Sequence, residues 1–294
     1  MISNFRGTGV AIVTPFHKDG NIDFKSFEKL IDYQISNGAN FLVFMGTTGE
    51  SVTLNYDEQQ AIIRLAVELV NGRKPIVVGI GGNNTQAVVN TILSSDLEGV
   101  DAVMSVSPYY NKPQQKGIYQ HFKTIAAASP VPVIIYNVPS RTGSNIKAET
   151  TLELARDVPN IFAIKEASQD MVQIARIIKN KPEDFLVISG DDVTAVPFLA
   201  LGGDGVISVI ANALTSDFSK MVQYCLDGQF DKARVLSFKL LEITEAIYSE
   251  GNPTGIKALL SSMGLCQNEV RLPLVKASKQ LQTQLLQLLK KFTP

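Results

Sequence analysis

Short apolar runs alternate with longer stretches in which apolar positions recur every three or four residues, from residue 10 almost to residue 228. The short runs predict strands over Val10–Thr14, Phe41–Phe44, Pro75–Gly79, Ala102–Val106, Val133–Tyr136, Phe162–Lys165, Leu186–Ser189 and Gly205–Ser208. Amphipathic helices are predicted between them, among others over Phe24–Ser36, Asp57–Val70, Ala87–Leu97, Ile118–Ala127, Ala148–Asp157 and Met171–Lys179. Regular βα alternation implies parallel strands joined by helical crossovers and buried on both faces. Eight similar units favour an α/β fold of the closed (β/α)8 TIM-barrel kind over an open doubly wound sheet. From about Gln229 the alternation stops, and Phe230–Tyr248, Thr254–Met263 and Leu274–Phe292 read as consecutive helices. The expected organisation is therefore a barrel carrying the active site over 1–228 and an appended C-terminal helical bundle over 229–294. In the last helix Leu281, Leu285, Leu288 and Leu289 make one apolar stripe, expected to pack on the protein or a partner subunit and not on a membrane.

Composition narrows the classes. A chain of 294 residues that is 45% hydrophobic can bury one large core. Its net charge of −1, with no run of like charges, argues against nucleic acid or a membrane surface as partner. No signal peptide opens the chain and no apolar stretch is long enough to span a bilayer, so a cytoplasmic location is expected. Cys225 and Cys266 lack CxxC spacing and read as small buried apolar residues of a reducing compartment. His17 and His121 stand alone, so neither a zinc cluster nor a Ser-His-Asp triad assembles.

The candidate chemistry centres on Ile161-Phe162-Ala163-Ile164-Lys165-Glu166, where a buried-type strand runs into a lysine. One reading is a lysine facing solvent beside Glu166. The other is an amine in a partly dry pocket, its pKa lowered until it becomes a nucleophile toward a ketone. In such barrels the chemistry sits at the carboxyl ends of the strands. That rule gathers Gly46–Ser51, Ser107–Asn111, Tyr136–Gly143, Lys165, Gly190-Asp191-Asp192 and Ser208 at one mouth, a composition suited to an anionic carbonyl compound. Gly46–Ser51 reads either as a plain loop before a helix capped by Asn55 or as a carboxylate cradle of Thr hydroxyls and backbone N–H groups. Arg141 is either a surface residue or a fork for a second carboxylate. Tyr109 and Tyr110 could simply pack at a strand end.

Three other features invite over-reading. Asp191 and Asp192 could bind a metal, but no third ligand is apparent, which favours a helix cap. Gly79-Ile80-Gly81-Gly82-Asn83-Asn84 begins a dinucleotide fingerprint but lacks its third glycine, and Asp101 opens its strand instead of ending it. Gly202–Gly205 is compatible both with a phosphate site and with a helix C-cap turning into a strand.

Gly46-Thr-Thr-Gly-Glu-Ser, Ser107-Pro-Tyr-Tyr-Asn, Tyr136-Asn-Val-Pro-Ser-Arg-Thr-Gly, Ile164-Lys-Glu-Ala and Ser189-Gly-Asp-Asp together resemble the dihydrodipicolinate synthase family across essentially the whole chain. The resemblance implies an imine-forming enzyme that condenses pyruvate with L-aspartate 4-semialdehyde at the start of lysine and diaminopimelate synthesis. It implies no metal and no organic cofactor, and a homotetramer. By position it makes Lys165 the imine-forming residue and Tyr136, Thr48 and Tyr110 a proton relay, Tyr110 being lent by the neighbouring subunit. Thr47 and Thr48 would hold the carboxylate of pyruvate, Arg141 that of the semialdehyde, and Gly190 and Ile207 would line the pyruvate pocket. Asn252-Pro253 and Lys257 fit an Asn-Pro-x-x-x-Lys pattern to which the resemblance attaches no role. An ordinary lysine, with pKa about 10.4, is neutral at pH 7 in roughly one molecule in a few thousand, so such a site must lower it by about three units.

Two rivals share these residues. A sister class I aldolase acting on N-acetylneuraminate or a 2-keto-3-deoxy sugar acid has the same lysine, but a neutral polyhydroxyl chain does not need Arg141. A non-catalytic 2-oxo acid sensor would require a broken relay, whereas Thr48, Tyr110 and Tyr136 are all in place. Family members inhibited by L-lysine carry histidines and a glutamate where this chain has Tyr56, Gln59 and Ala87, while Asn83 and Tyr109 remain. A carboxylate to pair with the inhibitor's ammonium is missing. Initial rates are therefore expected to stay unchanged at sub-millimolar L-lysine, and strong inhibition in that assay would refute the reading.

Overall fold

In the computed structural model, which describes residues 2–292, eight parallel strands close into one barrel in sequence order, β1 through β8. They are β1 Gly7–Ala11, β2 Phe41–Phe44, β3 Ile76–Gly79, β4 Ala102–Val106, β5 Val133–Asn137, β6 Ile161–Glu166, β7 Leu186–Ser189 and β8 Gly205–Ser208. The helices are α1 Phe24–Ser36, α2 Tyr56–Val70, α3 Thr85–Ser94, α4 Gln115–Ala128, α5 Pro139–Thr142, α6 Ala148–Asp157, α7 Met171–Asn180, α8 Ala195–Ala200, α9 Thr215–Leu226, α10 Phe230–Tyr248, α11 Thr254–Ser262 and α12 Lys279–Leu289. The (β/α)8 expectation holds. No helix among the described residues is long and apolar enough to cross a membrane.

Seven strands lie where the apolar runs put them, to within a residue, and β1 does not. It occupies Gly7–Ala11 in place of Val10–Thr14. The cause is steric. A Cβ at Gly9 would fall 2.2 Å from the Phe41 ring on β2, and one at Gly205 would fall 2.4 Å from the Gly7 carbonyl oxygen. Glycine therefore serves here as a close-packing residue inside a strand, where propensity alone argues against it. Phe41 uses the space, its ring edge-on to Phe5 at 5.6 Å, and Phe5 meets Phe162 at 5.1 Å, so aromatic rings fill the barrel interior at the amino-terminal end.

The Gly202–Gly205 turn precedes β8 and so lies at the barrel end opposite the strand carboxyl ends. Its Asp204 is buried, accepts the backbone N–H of Val187 and pairs with Arg6 and Lys181. Of the two expectations, the structural turn fits and the phosphate site does not. Similarly, a Cβ at Gly79 would fall 2.3 Å from the Met45 carbonyl oxygen, and Asp101 accepts the Ile76 N–H, so this glycine run serves packing between strands.

The C-terminal helices share one hydrophobic cluster with barrel side chains, Leu259, Leu281 and Leu285 joining Ile12, Phe16 and Leu54. The expected stripe of α12 is inward, Leu281, Leu285 and Leu289 being buried, but the helix starts at Lys279, capped by the Ser278 hydroxyl, and not at Leu274. A second tie is ionic. Lys257, fully buried on α11, donates from Nζ to Glu50 Oε1 at 2.5 Å and to the Glu269 carbonyl at 2.8 Å. The other Glu50 oxygen accepts the backbone N–H of Arg271, whose guanidinium binds Glu58 and the carbonyls of Thr53 and Gly20. Removing one member of such a buried pair strands the other charge. Lys257→Met is expected to lower unfolding free energy in urea by about 3–5 kcal/mol, with part recovered in Lys257→Met/Glu50→Gln.

Candidate active site

At the carboxyl ends of the strands lies a cavity of about 570 Å³ whose lining includes Thr47, Thr48, Tyr136, Arg141, Lys165 and Gly190. Strand order explains the assembly. Tyr136 on β5 is in register with Lys165 on β6, and the Lys165 Nζ stands 4.3 Å from the centre of the Tyr136 ring. Gly190 follows β7. A Cβ there would fall 2.8 Å from Ala167 Cβ and 3.0 Å from Lys165 Cε, so the missing side chain is the passage the lysine uses.

All six residues of β6 are buried, Lys165 included at 6% exposure. Burial pulls the lysine from its ordinary 10.5 down to about 8; the carboxylate of Asp192 opposes the shift and the charge of Arg141 adds to it. At pH 7 roughly one amine in ten is then neutral, against one in a few thousand for an ordinary lysine. Tyr136 moves the other way, burial raising its pKa against the pull of Arg141 and the Thr47 side chain, so its hydroxyl keeps its proton at neutral pH.

The helix-cap part of the Gly46–Ser51 reading holds. Asn55 caps α2 in a reciprocal box with Glu58, while Thr47 and the buried Thr48 face the cavity upstream of it. The loop is folded tightly by Gly49 N–H to Gly46 and Glu50 N–H to Thr47, and Glu50 takes a left-handed φ of 53°. Arg141 sits on the single turn α5, exposed but lining the cavity. Behind it Asn137 donates to both oxygens of buried Glu166, to Asn145, and accepts the Ile146 N–H, which ties the arginine's loop to the strand of the lysine.

Other predicted residues lie elsewhere. Tyr110 is 86% exposed with φ 77°, its N–H donated to Thr142, and it is not among the residues lining this cavity. Ile207 is buried among barrel-interior side chains with Tyr136 and Ile188 rather than at the cavity wall. Asp191 accepts from the N–H and hydroxyl of Thr194 and so closes the turn before α8. The N-cap position is Thr194 itself, which makes no side-chain cap bond, so Asp191 is not the helix cap the sequence favours. Asp192 also differs from that expectation. It is buried and accepts the N–H groups of Val209 and Ile210 and the hydroxyl of Tyr248, linking the ends of β7 and β8 to α10. No group of His, Cys, Asp or Glu among the described residues is arranged to hold a metal ion. Both cysteines are free and buried, and burial lowers His121 to about 4, which leaves it neutral at pH 7.

Gln59, Asn83, Ala87 and Tyr109 do gather, around a separate cavity of about 340 Å³ with no carboxylate in its lining. Tyr56 is not among them, its hydroxyl being donated to the Ser94 carbonyl at 2.6 Å. Sequence reasoning attached no role to Asn252, which also lines the active-site cavity and donates to Thr48 Oγ1 at 3.0 Å. The Asn-Pro-x-x-x-Lys spacing was a visible signal, but its partners lie more than two hundred residues away.

The model of the dihydrodipicolinate synthetase family matches residues 4–292. The 4-hydroxy-tetrahydrodipicolinate synthase of Flavobacterium psychrophilum is 50% identical over 281 residues, 96% of each chain. The crystal structure of dihydrodipicolinate synthase from Thermotoga maritima superposes with a TM-score of 0.95 at 41% identity, covering 98% of each chain. The enzyme of Acinetobacter baumannii, solved as a complex with pyruvate, gives 0.94 at 39% identity over 97% of this chain and 98% of that one. With its closed barrel, its lowered lysine and matches of this extent, the chain belongs to the dihydrodipicolinate synthetase family.

Proposed function

We propose that this chain is a 4-hydroxy-tetrahydrodipicolinate synthase, condensing pyruvate with L-aspartate 4-semialdehyde through an imine on Lys165. The observation that carries the reading is the buried Lys165 amine, lowered to about 8 and standing over Tyr136 in a cavity that also holds Thr47, Thr48 and Arg141. The relatives named as synthases, and the A. baumannii enzyme with pyruvate bound, support the substrates.

The neutral amine adds to the keto carbon of pyruvate, and loss of water gives the imine. Protonated, the imine withdraws electrons, so a methyl proton leaves and an enamine forms. The enamine carbon attacks the aldehyde of the second substrate. The amine of that substrate then adds to the imine carbon, closes the ring and releases Lys165. Each step moves a proton, and hydroxyls both donate and accept. Tyr136, Thr48 and Tyr110 form the relay. The raised pKa of Tyr136 suits it, since a phenol that stays protonated returns to its starting form after each transfer. Thr47 and Thr48 hold the carboxylate of pyruvate, with Gly190 and Ile207 shaping that end. Arg141 holds the carboxylate of the semialdehyde, which is what a sugar-acid aldolase would not require. The imine is its own electron sink, so the route calls for no metal or organic cofactor.

Tyr110, exposed on its own protomer, is the observation that supports assembly. We place it in the site of a neighbouring copy within a cytoplasmic homotetramer. The division of the chain belongs to the same reading, residues 1–228 supplying the reactive groups and 229–294 bracing the loop that carries Thr47 and Thr48.

Borohydride trapping of pyruvate tests the lysine. Lys165→Ala and Lys165→Arg are both expected to lose the adduct, since arginine keeps the charge but does not deprotonate. An adduct on Lys165→Arg would overturn the assignment. Because the folded amine has its pKa near 8, its neutral fraction falls about tenfold per pH unit below that value. The initial trapping rate should rise accordingly with pH and level off above about 8. Gly190→Ala should cut trapping about tenfold or more through displacement of Lys165, with Thr47 and Arg141 untouched; normal trapping would show that the passage is not needed.

A further inference from the structure

We propose that Asn252 is a positioning residue that sets the direction of the Thr48 hydroxyl, an inference that rests on the relay reading of Thr48. Asn252 precedes α11 and is 8% exposed. Its Nδ2 donates to Thr48 Oγ1 at 3.0 Å, while its Oδ1 is buried and meets no protein donor. A threonine hydroxyl carries one proton and accepts at its lone pairs. With the amide donating into that oxygen, the hydroxyl proton cannot point back at Asn252. It must point elsewhere in the cavity that Thr48 shares with Tyr136 and Lys165.

Two features separate this contact from ordinary packing. A side chain placed to close a buried network is satisfied at both ends, and Asn252 is satisfied only at the end facing Thr48. The loop also has its own structural tie to the same region, through Lys257 to Glu50 one helical turn further on. Glu50 anchors the loop backbone, and Asn252 addresses the one hydroxyl on it that the relay uses. The pairing fixes proton polarity: Thr48 donates toward the substrate side and accepts from Asn252 until its own proton has moved.

Asn252→Asp keeps the size and removes the donor. Its carboxylate would instead accept the Thr48 proton and turn the hydroxyl around. In steady-state assays kcat should fall about tenfold or more while the KM for pyruvate stays within about twofold, and borohydride should still trap pyruvate. Once the buried carboxyl is protonated at lower pH it can donate again, so the variant-to-parent ratio of kcat should rise as pH falls from about 8 to about 6. In a Thr48→Val background, Asn252→Asp should change kcat by less than about twofold, because the two residues act as one unit. Asn252→Ser, a smaller change, provides the same cycle if the aspartate variant is poorly folded.

An equal loss of kcat in both backgrounds would overturn the inference, as would an unchanged kcat in Asn252→Asp. If Thr48→Val itself left kcat intact, the relay reading would fall instead, and the inference with it. A large loss for Thr48→Val with none for Asn252→Asp would sink the inference alone.

Discussion

An amine withdrawn from water at the end of β6 is the constraint around which the molecule is arranged. The ammonium form of Lys165 is solvated in the unfolded chain and poorly solvated in the folded one, which lowers its pKa from 10.5 to about 8. The proton is held less tightly in the folded state, so below pH 8 the charged lysine weakens the fold by about 3 kcal/mol. That cost fades as pH climbs from about 8 to 10.5, where both states are neutral. A protein of ordinary stability has some 5–15 kcal/mol to set against it. The remaining architecture supplies that reserve: a barrel interior filled by rings and branched side chains, and C-terminal helices joined to the same core.

The same constraint explains why charges nearby are distributed as they are. Asp192 is close enough to hold the lysine's pKa up, yet it is occupied by two backbone N–H groups and the Tyr248 hydroxyl. On the proposed reading its charge would offset that of an iminium, and meanwhile it raises the lysine's pKa only in part against the effect of burial. Arg141 pushes the other way from the cavity wall. Between these two, the amine keeps a neutral fraction of roughly one in ten at pH 7, against one in a few thousand for an ordinary lysine.

Much of this was legible in the sequence, and the losses have physical causes. Strands buried on both faces announce themselves as apolar runs, so seven of eight were found in place and Lys165 was recognised at the end of one. β1 was displaced because Gly7 and Gly9 look like breakers until Asn40 is seen in the space left by the first and Phe41 in that left by the second. Gly190 was singled out by family likeness, but its reason, clearance for the lysine stem, needs coordinates. Asp192 read as a local cap and instead reaches across to β8 and α10. The hardest residues were Asn252 and Lys257, whose partners lie at sequence separations of 204 and 207. Periodicity and spacing report local order. They carry nothing about a contact between opposite ends of a chain.

That separation has a consequence for how the protein is made. Translation adds roughly 5–20 residues per second, and domains settle from the amino end as they emerge. Lys165 and Thr48 therefore leave the ribosome seconds before Asn252 and Lys257 exist. During that interval the Gly46–Ser51 segment lacks its ties to Asn252, Lys257 and Arg271. The contacts of Thr48 with Asn252 and of Glu50 with Lys257 are therefore among the last to form, and they close over the loop only once the C-terminal helices have emerged.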